Sequence, residues 1–296
     1  MTIDNYLEKN GHSQELRELI KVIIGQIELI KDEFLGGDKK TGIYNIYGEE
    51  QVKLDQKANQ ILIKAFRNSK LVKQAASEEE KEVIQMSSEK GRFGVTIDPL
   101  DGSSLIPTNL AVGIIFSVYE NGEVMSGLRN ITEAFYILLG PLTLMVFADK
   151  NGASQFVYNK KGVFDLIKEG VIIPEGKLYS PGGLRKEWTS PHRGLISNLE
   201  EKGFKLRYSG SFVPDFHQIL TYGGIFTYPA LLNKPKGKLR LLFEAGPMAF
   251  IAEKAGGAGI DGRNRILEIV PDEVDQRTPV YIGSKKLIEE LKEKLL

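Results

Sequence analysis

Residues 98–104 read Asp98-Pro99-Leu100-Asp101-Gly102-Ser103-Ser104, and their types and spacing suit phosphate chemistry beside a metal. The two carboxylates are separated by a proline and a leucine. Pro99 fixes its own φ near about −65° and keeps Asp98 out of the helical region, so the backbone bends and can turn both side chains toward one point. A carboxylate pair repels itself unless a cation lies between, and hard divalent ions such as Mg²⁺ take oxygen ligands of this kind. Gly102, Ser103 and Ser104 then offer successive backbone N–H groups and two hydroxyls, the makings of an anion nest. Metal ligands and a phosphate cradle therefore adjoin, which is the chemistry of a phosphate ester held against a metal. The same residues are ordinary turn formers, so composition alone also allows a plain loop.

The elements around the motif favour function. A short strand over residues 93–97 enters it and apolar residues follow over 111–119, so a charged turn hangs on the end of a core strand. Upstream, Ser13 is a candidate N-cap for one long amphipathic helix that carries Leu16, Leu19, Ile20, Ile23, Ile27, Ile30 and Phe34 and ends at Gly36-Gly37. A strand over 42–46 leads to Glu49, Glu50 and Asp55, at the start of a second helix with Leu54, Ala58, Ile61, Leu62, Ala65 and Phe66 on one side. The helix dipole alone accounts for those carboxylates. Ser77 and Glu80 have the spacing of a capping box. Residues 111–167 read as mostly β, with hairpin signals at Asn121-Gly122 and Asn151-Gly152. The apolar run 134–148 is broken by Gly140-Pro141 and too short to span a bilayer, so it reads as a buried strand or strand pair. A second half begins near Leu178. Ser211 and Pro214 open a helix that Gly223-Gly224 ends, 225–228 and 239–243 read as strands, and Gly246-Pro247 opens a further helix directly after Glu244. Ser284 caps a charged C-terminal helix. The expected fold class is α/β in alternating layers, an αβαβα sandwich, with an N-terminal half over 1–170 and a C-terminal half over 171–296.

The composition closes off several function classes. Lysine plus arginine equals aspartate plus glutamate at 39 each, so no net basic charge argues for nucleic acid or an anionic membrane. The absence of cysteine excludes disulfides, thiolate zinc sites, iron–sulfur clusters and cysteine nucleophiles, and suits a cytoplasmic protein. The N-terminus carries no signal-peptide pattern. Residues 257–262 match the spacing of a dinucleotide fingerprint but follow a helix instead of a strand, so no helix N-terminus waits for a pyrophosphate. His12, His192 and His217 lack metal-like spacing and read as surface or helix residues. Arg207, Tyr208, Tyr228, Lys236, Lys238 and Arg240 form a basic and aromatic cluster suited to phosphate. A solvated basic hairpin with tyrosines at strand edges explains that cluster equally well.

Taken together, residues 48–55, Ser77-Glu78-Glu79, the 98–104 motif, residues 222–229, residues 235–244 and Ile282-Gly283-Ser284 resemble class I fructose-1,6-bisphosphatases, with sedoheptulose-1,7-bisphosphatases as close relatives. Both belong to the metal-dependent, lithium-sensitive phosphatases that include inositol monophosphatase. The resemblance implies a cytoplasmic, gluconeogenic hydrolase that removes the 1-phosphate of fructose 1,6-bisphosphate with two or more Mg²⁺ ions per subunit, Mn²⁺ being the alternative. It implies Glu78, Glu79, Asp98, Asp101 and Glu244 as metal carboxylates, with the Leu100 carbonyl beside them. Gly102, Ser103 and Ser104 become the cradle of the departing phosphate. Glu49, where the family usually has Asp, and Asp55 handle the attacking water together with Glu79. Tyr208, Tyr228 and Lys238 grip the sugar and its second phosphate, Arg207 reaches a neighbouring subunit's site, and the assembly is a homotetramer or homodimer. No nucleic acid or membrane partner is implied.

Three departures from the family pattern bear on specificity. Leu105 stands where the family has Asn. After Tyr179-Ser180 the chain has Pro181-Gly182-Gly183-Leu184-Arg185 in place of the usual Asn and Tyr, which suggests a roomier grip by Arg185 and a free Gly182 N–H, and hence dual action on sedoheptulose 1,7-bisphosphate. Arg92-Phe93 replaces the Lys-Tyr pair that meets AMP in animal enzymes, so AMP inhibition is expected to be weak. The alternatives are a sedoheptulose or dual bisphosphatase, an inositol-monophosphatase-like enzyme, and a catalytically silent metabolite binder, against which the intact carboxylate set speaks.

Overall fold

Both faces of the central strands are buried, and the layering follows from that. The computed structural model describes residues 1–34, 51–86 and 91–295. The chain opens with helices α1 (Ile3–Lys9), α2 (Gln14–Ile24), α3 (Ile27–Phe34) and α4 (Gln51–Ser69). Strands β1 (Val72–Ser77), β2 (Ile84–Gln85), β3 (Phe93–Asp101), β4 (Val112–Tyr119), β5 (Glu133–Leu139), β6 (Thr143–Asp149), β7 (Gly152–Tyr158) and β8 (Phe164–Lys168) then make one sheet in the order β2-β1-β3-β4-β5-β6-β7-β8. Only β1 and β3 run parallel, and every other neighbouring pair is antiparallel. Ile114, Phe116, Phe135 and Ile137 pack with α1–α4, while Ile115, Ala134 and Tyr136 belong to the core on the opposite face. Such two-sided burial is why these strands read as continuous apolar runs instead of alternating ones.

The second half adds β9 (Leu178–Pro181), α5 (Ser190–Glu201), β10 (Lys205–Leu206), α6 (Phe212–Tyr222), β11 (Gly224–Tyr228), β12 (Leu239–Arg240), α7 (Gly246–Lys254), β13 (Ala258–Ile260), β14 (Arg277–Thr278), β15 (Val280–Gly283) and α8 (Lys285–Leu295). A five-stranded sheet runs β10-β9-β11-β15-β13, and β12 pairs with β14 apart from it. Helices α6 and α7 lie between the two sheets, and α5 and α8 cover the far face of the smaller one. Helices, sheet, helices, sheet and helices make the expected five-layer α/β sandwich. Among the described residues no helix is long and apolar enough to cross a membrane.

Several local expectations are corrected. The single long N-terminal helix is two, because Gly25 caps α2 and Gln26 separates it from α3; glycine is the weakest helix former among non-proline residues. Ser77 caps no helix: it ends β1, and the Glu80 N–H donates to the Ser77 carbonyl at 3.0 Å in a turn. Asn121-Gly122 does not close a tight hairpin. Val124 and Leu128 are drawn into the core between the sheets, and β5 begins only at Glu133. The Gly140-Pro141 break does separate a strand pair, with Leu139 opposite Thr143. The strand over 239–243 is only Leu239–Arg240, and Leu241–Ala245 coils into a π turn that runs into α7. The expected strand at 42–46, Gly36-Gly37, Glu49 and Glu50 lie outside the described residues.

Candidate active site

The ends of β1 and β3 deliver the carboxylates. These strands are parallel neighbours, so Glu78 and Glu79 leave β1 on the same edge at which Asp98 and Asp101 end β3. On a regular strand, residues three apart point to opposite faces. Here Asp98 lies opposite Ile115 and Asp101 opposite Gly113, so β3 carries one extra residue, a bulge at Pro99-Leu100. Proline cannot donate to the ladder, and the bulge re-aims the chain so that both aspartates meet. The Leu100 N–H donates to Asp98 Oδ1 at 3.0 Å and fixes the bend.

The second half brings the third carboxylate. Glu244 sits in the π turn before α7, and its Oε2 accepts the Arg240 N–H at 2.6 Å. One ligand oxygen each from Asp98, Asp101 and Glu244 lies within 4.8 Å of the others, all in buried side chains. Asp101 also closes the start of α6: it accepts the Phe212 N–H at 3.0 Å, the Val213 N–H at 2.7 Å and the Ser211 hydroxyl at 2.6 Å. Those N–H groups have no partner inside their own helix, so the carboxylate satisfies them from another strand. Burial raises the proton affinity of all three acids. Asp98 is driven well up by burial and then by Asp101 and Glu244, Asp101 is raised because its three donors only partly offset burial, and Glu244 reaches about 7. Three crowded, desolvated carboxylates that resist ionisation are the donor set that a divalent cation relieves. Glu78 is ion-paired to Arg240, and Glu79 is raised by burial with Glu80 nearby.

The phosphate-cradle candidates line the same cavity, whose volume is about 220 Å³. Gly102 adopts φ +82°, and a Cβ there would stand 2.4 Å from Ser211 Cβ, so only glycine lets the two halves close around Asp101. The Ser103 hydroxyl donates to Asp55 Oδ2 at 3.0 Å, across from the β3 end. Burial lifts the Asp55 carboxyl to about 6, with Glu79 adding to the rise. On the facing wall stand Tyr208, Tyr228, Lys238, Arg240 and Arg277, with the Lys238 ammonium 5.4 Å from the centre of the Tyr228 ring.

The structure thus brings together Asp55, Glu78, Glu79, Asp98, Leu100, Asp101, Gly102, Ser103, Ser104, Tyr208, Tyr228, Lys238 and Glu244 in one cavity. Arg185 and Arg207 are not in its wall. The Arg185 guanidinium stands 5.9 Å from the Trp188 ring centre, and the Arg207 N–H joins Tyr179. Gly182 has no free N–H, because it donates to the Thr227 carbonyl at 2.7 Å. Its missing side chain serves Tyr228, whose ring would meet a Cβ at 2.2 Å. Of the histidines, His192 and His217 lie in helices as expected, and none is exposed. His12 is 2.6 Å from Asp149, and His192 and His217 are packed in α5 and α6 with their pKa values lowered to about 4 by burial. Ser211 and Arg277 were missed by sequence reasoning as cavity residues. Ser211 shows only a cap signature, and Arg277 is placed by cross-strand pairing with Arg240, for which no local signal exists.

Comparison with known proteins agrees with this geometry. Residues 2–169 match the family model of the fructose-1-6-bisphosphatase N-terminal domain, and residues 172–295 that of its C-terminal domain. The chain is 46% identical over 289 residues to a class 1 fructose-1,6-bisphosphatase of Methanospirillum hungatei, covering 97% of this chain and 93% of the relative. It is 45% identical to one of Methanocorpusculum labreanum, covering 97% and 89%. The crystal structure of Leishmania major fructose-1,6-bisphosphatase in holo form superposes with a TM-score of 0.90 at 31% identity, covering 100% of this chain and 98% of that one. With both domain models matched in order and near-complete coverage by these relatives, the chain belongs to the class 1 fructose-1,6-bisphosphatase family.

Proposed function

We propose that this chain hydrolyses the 1-phosphate of fructose 1,6-bisphosphate to fructose 6-phosphate and phosphate, with Mg²⁺ at the acidic cluster; its relatives are named fructose-1,6-bisphosphatases. The observation that carries the reading is the meeting of Asp98, Asp101 and Glu244 beside the Gly102–Ser104 turn, with Lys238 and two tyrosines across the same cavity. Glu78, Glu79 and the Leu100 carbonyl complete the ligand set for two or more ions. Bound Mg²⁺ would neutralise phosphate oxygens, acidify water and stabilise the leaving alkoxide.

The chain's own groups do the rest. Backbone N–H groups of 102–104 hold the reacting phosphate. Asp55, with Glu79 and with Glu49, orients the attacking water and takes its proton, and a carboxyl near pKa 6 suits a base working close to neutrality. Lys238, Tyr228 and Tyr208 hold the sugar and its distal phosphate, so that remote binding orients the reacting end. Arg207, outside this subunit's cavity, is free to serve a neighbour's site in a homotetramer or homodimer. Weak AMP inhibition remains expected, since Arg92-Phe93 stands where animal enzymes have the Lys-Tyr pair that meets AMP. The division into halves at 1–170 and 171–296 puts the cradle in the first and the sugar grip in the second.

Arg185 does not line the cavity and the Gly182 N–H is taken by Thr227, so neither residue supports the roomier grip, and a sedoheptulose or dual bisphosphatase is the alternative reading. Phosphate release from fructose 1,6-bisphosphate, sedoheptulose 1,7-bisphosphate and inositol 1-phosphate, with and without Mg²⁺, tests the fructose reading. Mg²⁺-dependent release from the fructose substrate at the highest kcat/KM is expected. Equal or faster release from inositol 1-phosphate, or no release at all, refutes it.

A further inference from the structure

The π turn that carries Glu244 has a gap in its hydrogen bonding, and one side chain from the other half closes it. Within Leu241–Ala245 the Gly246 N–H donates to the Leu241 carbonyl in the i to i+5 register. In that register the Leu242 carbonyl would next accept from residue 247, which is Pro247 and has no N–H. The α-helical donor for Leu242 would be the Gly246 N–H, which is already committed. Leu242 is fully buried, so its carbonyl needs a partner. Thr96 supplies it: Oγ1 donates to the Leu242 carbonyl at 3.0 Å. A threonine hydroxyl has one hydrogen, so in the 2.5 Å contact with Ser117 Oγ it is Ser117 that donates to Thr96. The result is a directed chain from β4 through β3 to the π turn, wholly buried.

Thr96 and Asp98 are two residues apart on β3 and share a face. The strand that presents Asp98 therefore also fixes the backbone that presents Glu244. We propose that Thr96 is a positioning residue that holds the Glu244 carboxylate in register with Asp98 and Asp101, and so sets the cation affinity of the cluster. This rests on the reading of the cluster as a cation site. Without the hydroxyl, the Leu242 carbonyl can regain a donor only by relaxing toward α-helical register. That relaxation rotates the following residues and carries Glu244 away from the aspartates.

Calorimetric titration of the metal-free protein with Mn²⁺ tests the proposal without reference to turnover. Thr96→Val, nearly isosteric, is expected to weaken Mn²⁺ binding about five- to tenfold, the scale of losing one buried hydrogen bond that governs the geometry. Thr96→Ser, which keeps the hydroxyl, should bind within about twofold of wild type. In Thr96→Val/Pro247→Ala, residue 247 regains an N–H for Leu242, and much of the affinity should return. If Thr96→Val melts at a lower temperature but binds Mn²⁺ as wild type does, the role is merely structural and the proposal is overturned. Should Thr96→Val fail to fold, Ser117→Ala takes its place. Loosening Thr96 should weaken Mn²⁺ binding several-fold, and an unchanged affinity overturns the proposal. Equal Mn²⁺ binding by wild type and Glu244→Gln would instead overturn the cation-site reading beneath it.

Discussion

Replacing Asp101 by Asn separates what this residue does for the fold from what it does for chemistry. The carboxylate spends one oxygen on the Phe212 N–H and the other on the Val213 N–H and the Ser211 hydroxyl. Asparagine has one acceptor oxygen. If that oxygen keeps Val213 and Ser211, its NH₂ faces the Phe212 N–H, and one buried donor is orphaned at a cost of about 1–3 kcal/mol. Removing a charge from beside Asp98 and Glu244 relieves repulsion and offsets part of that cost. The metal-free variant should therefore melt only a few degrees below wild type, at roughly 2–4 °C per kcal/mol for a large domain. Catalysis has no such offset. Loss of a carboxylate ligand from the cation cluster should remove at least about 4 kcal/mol of transition-state stabilisation, or about 10³-fold in kcat/KM. The assay is paired: melting temperature with and without Mg²⁺, and phosphate release under the same conditions. Wild type should gain stability from Mg²⁺ and the variant little. A folded variant that retains kcat within about tenfold of wild type would refute the assignment of Asp101 to the cation site.

Gly102→Ala places a Cβ 2.4 Å from Ser211 Cβ on a backbone at φ +82°, so it should lower both melting temperature and turnover, by about 10²-fold for the latter, as read by calorimetry and phosphate release. His192 is neutral when folded, with a pKa of about 4 against about 6.5 unfolded, so its contribution is fully present above pH 6.5 and is lost as pH falls from 6.5 toward 4. Denaturant titrations at pH 7 and pH 5 should therefore show wild type losing about 2 kcal/mol more than His192→Phe, and parallel losses would count against that protonation state. Lys238→Ala should raise KM for fructose 1,6-bisphosphate about tenfold or more, whereas Arg185→Ala, at a residue that does not line the cavity, should leave it within about twofold. Steady-state kinetics on the two variants decides between these walls.

The sequence by itself determined the chemistry, because that chemistry is local. Asp98, Asp101 and the Gly102–Ser104 turn are contiguous, and a proline, a glycine and two acids make a bend, a nest and a cation preference legible within a few residues, although the same letters also suit a plain loop. The apolar runs determined which segments are buried, and hence the layered α/β class. What no window of sequence contains is the bulge count against β4, which puts the two aspartates on one face; it depends on the partner strand. The same holds for Ser77-Glu80. A capping-box spacing and a turn at the end of a parallel strand are the same letters, and only pairing with β3 chose the second. Residues 239–244 looked like a strand because they are apolar, yet burial between two sheets and Pro247 downstream made the last of them a π turn. Distal specificity was the least legible. Gly182 and Arg185 looked available as residue types, but the backbone of one is bonded to Thr227 and the guanidinium of the other lies near Trp188. Types are written in the chain, whereas directions are set by whatever each residue packs against, and for Asp101, Glu244 and Thr96 that partner lies in the other half of the molecule.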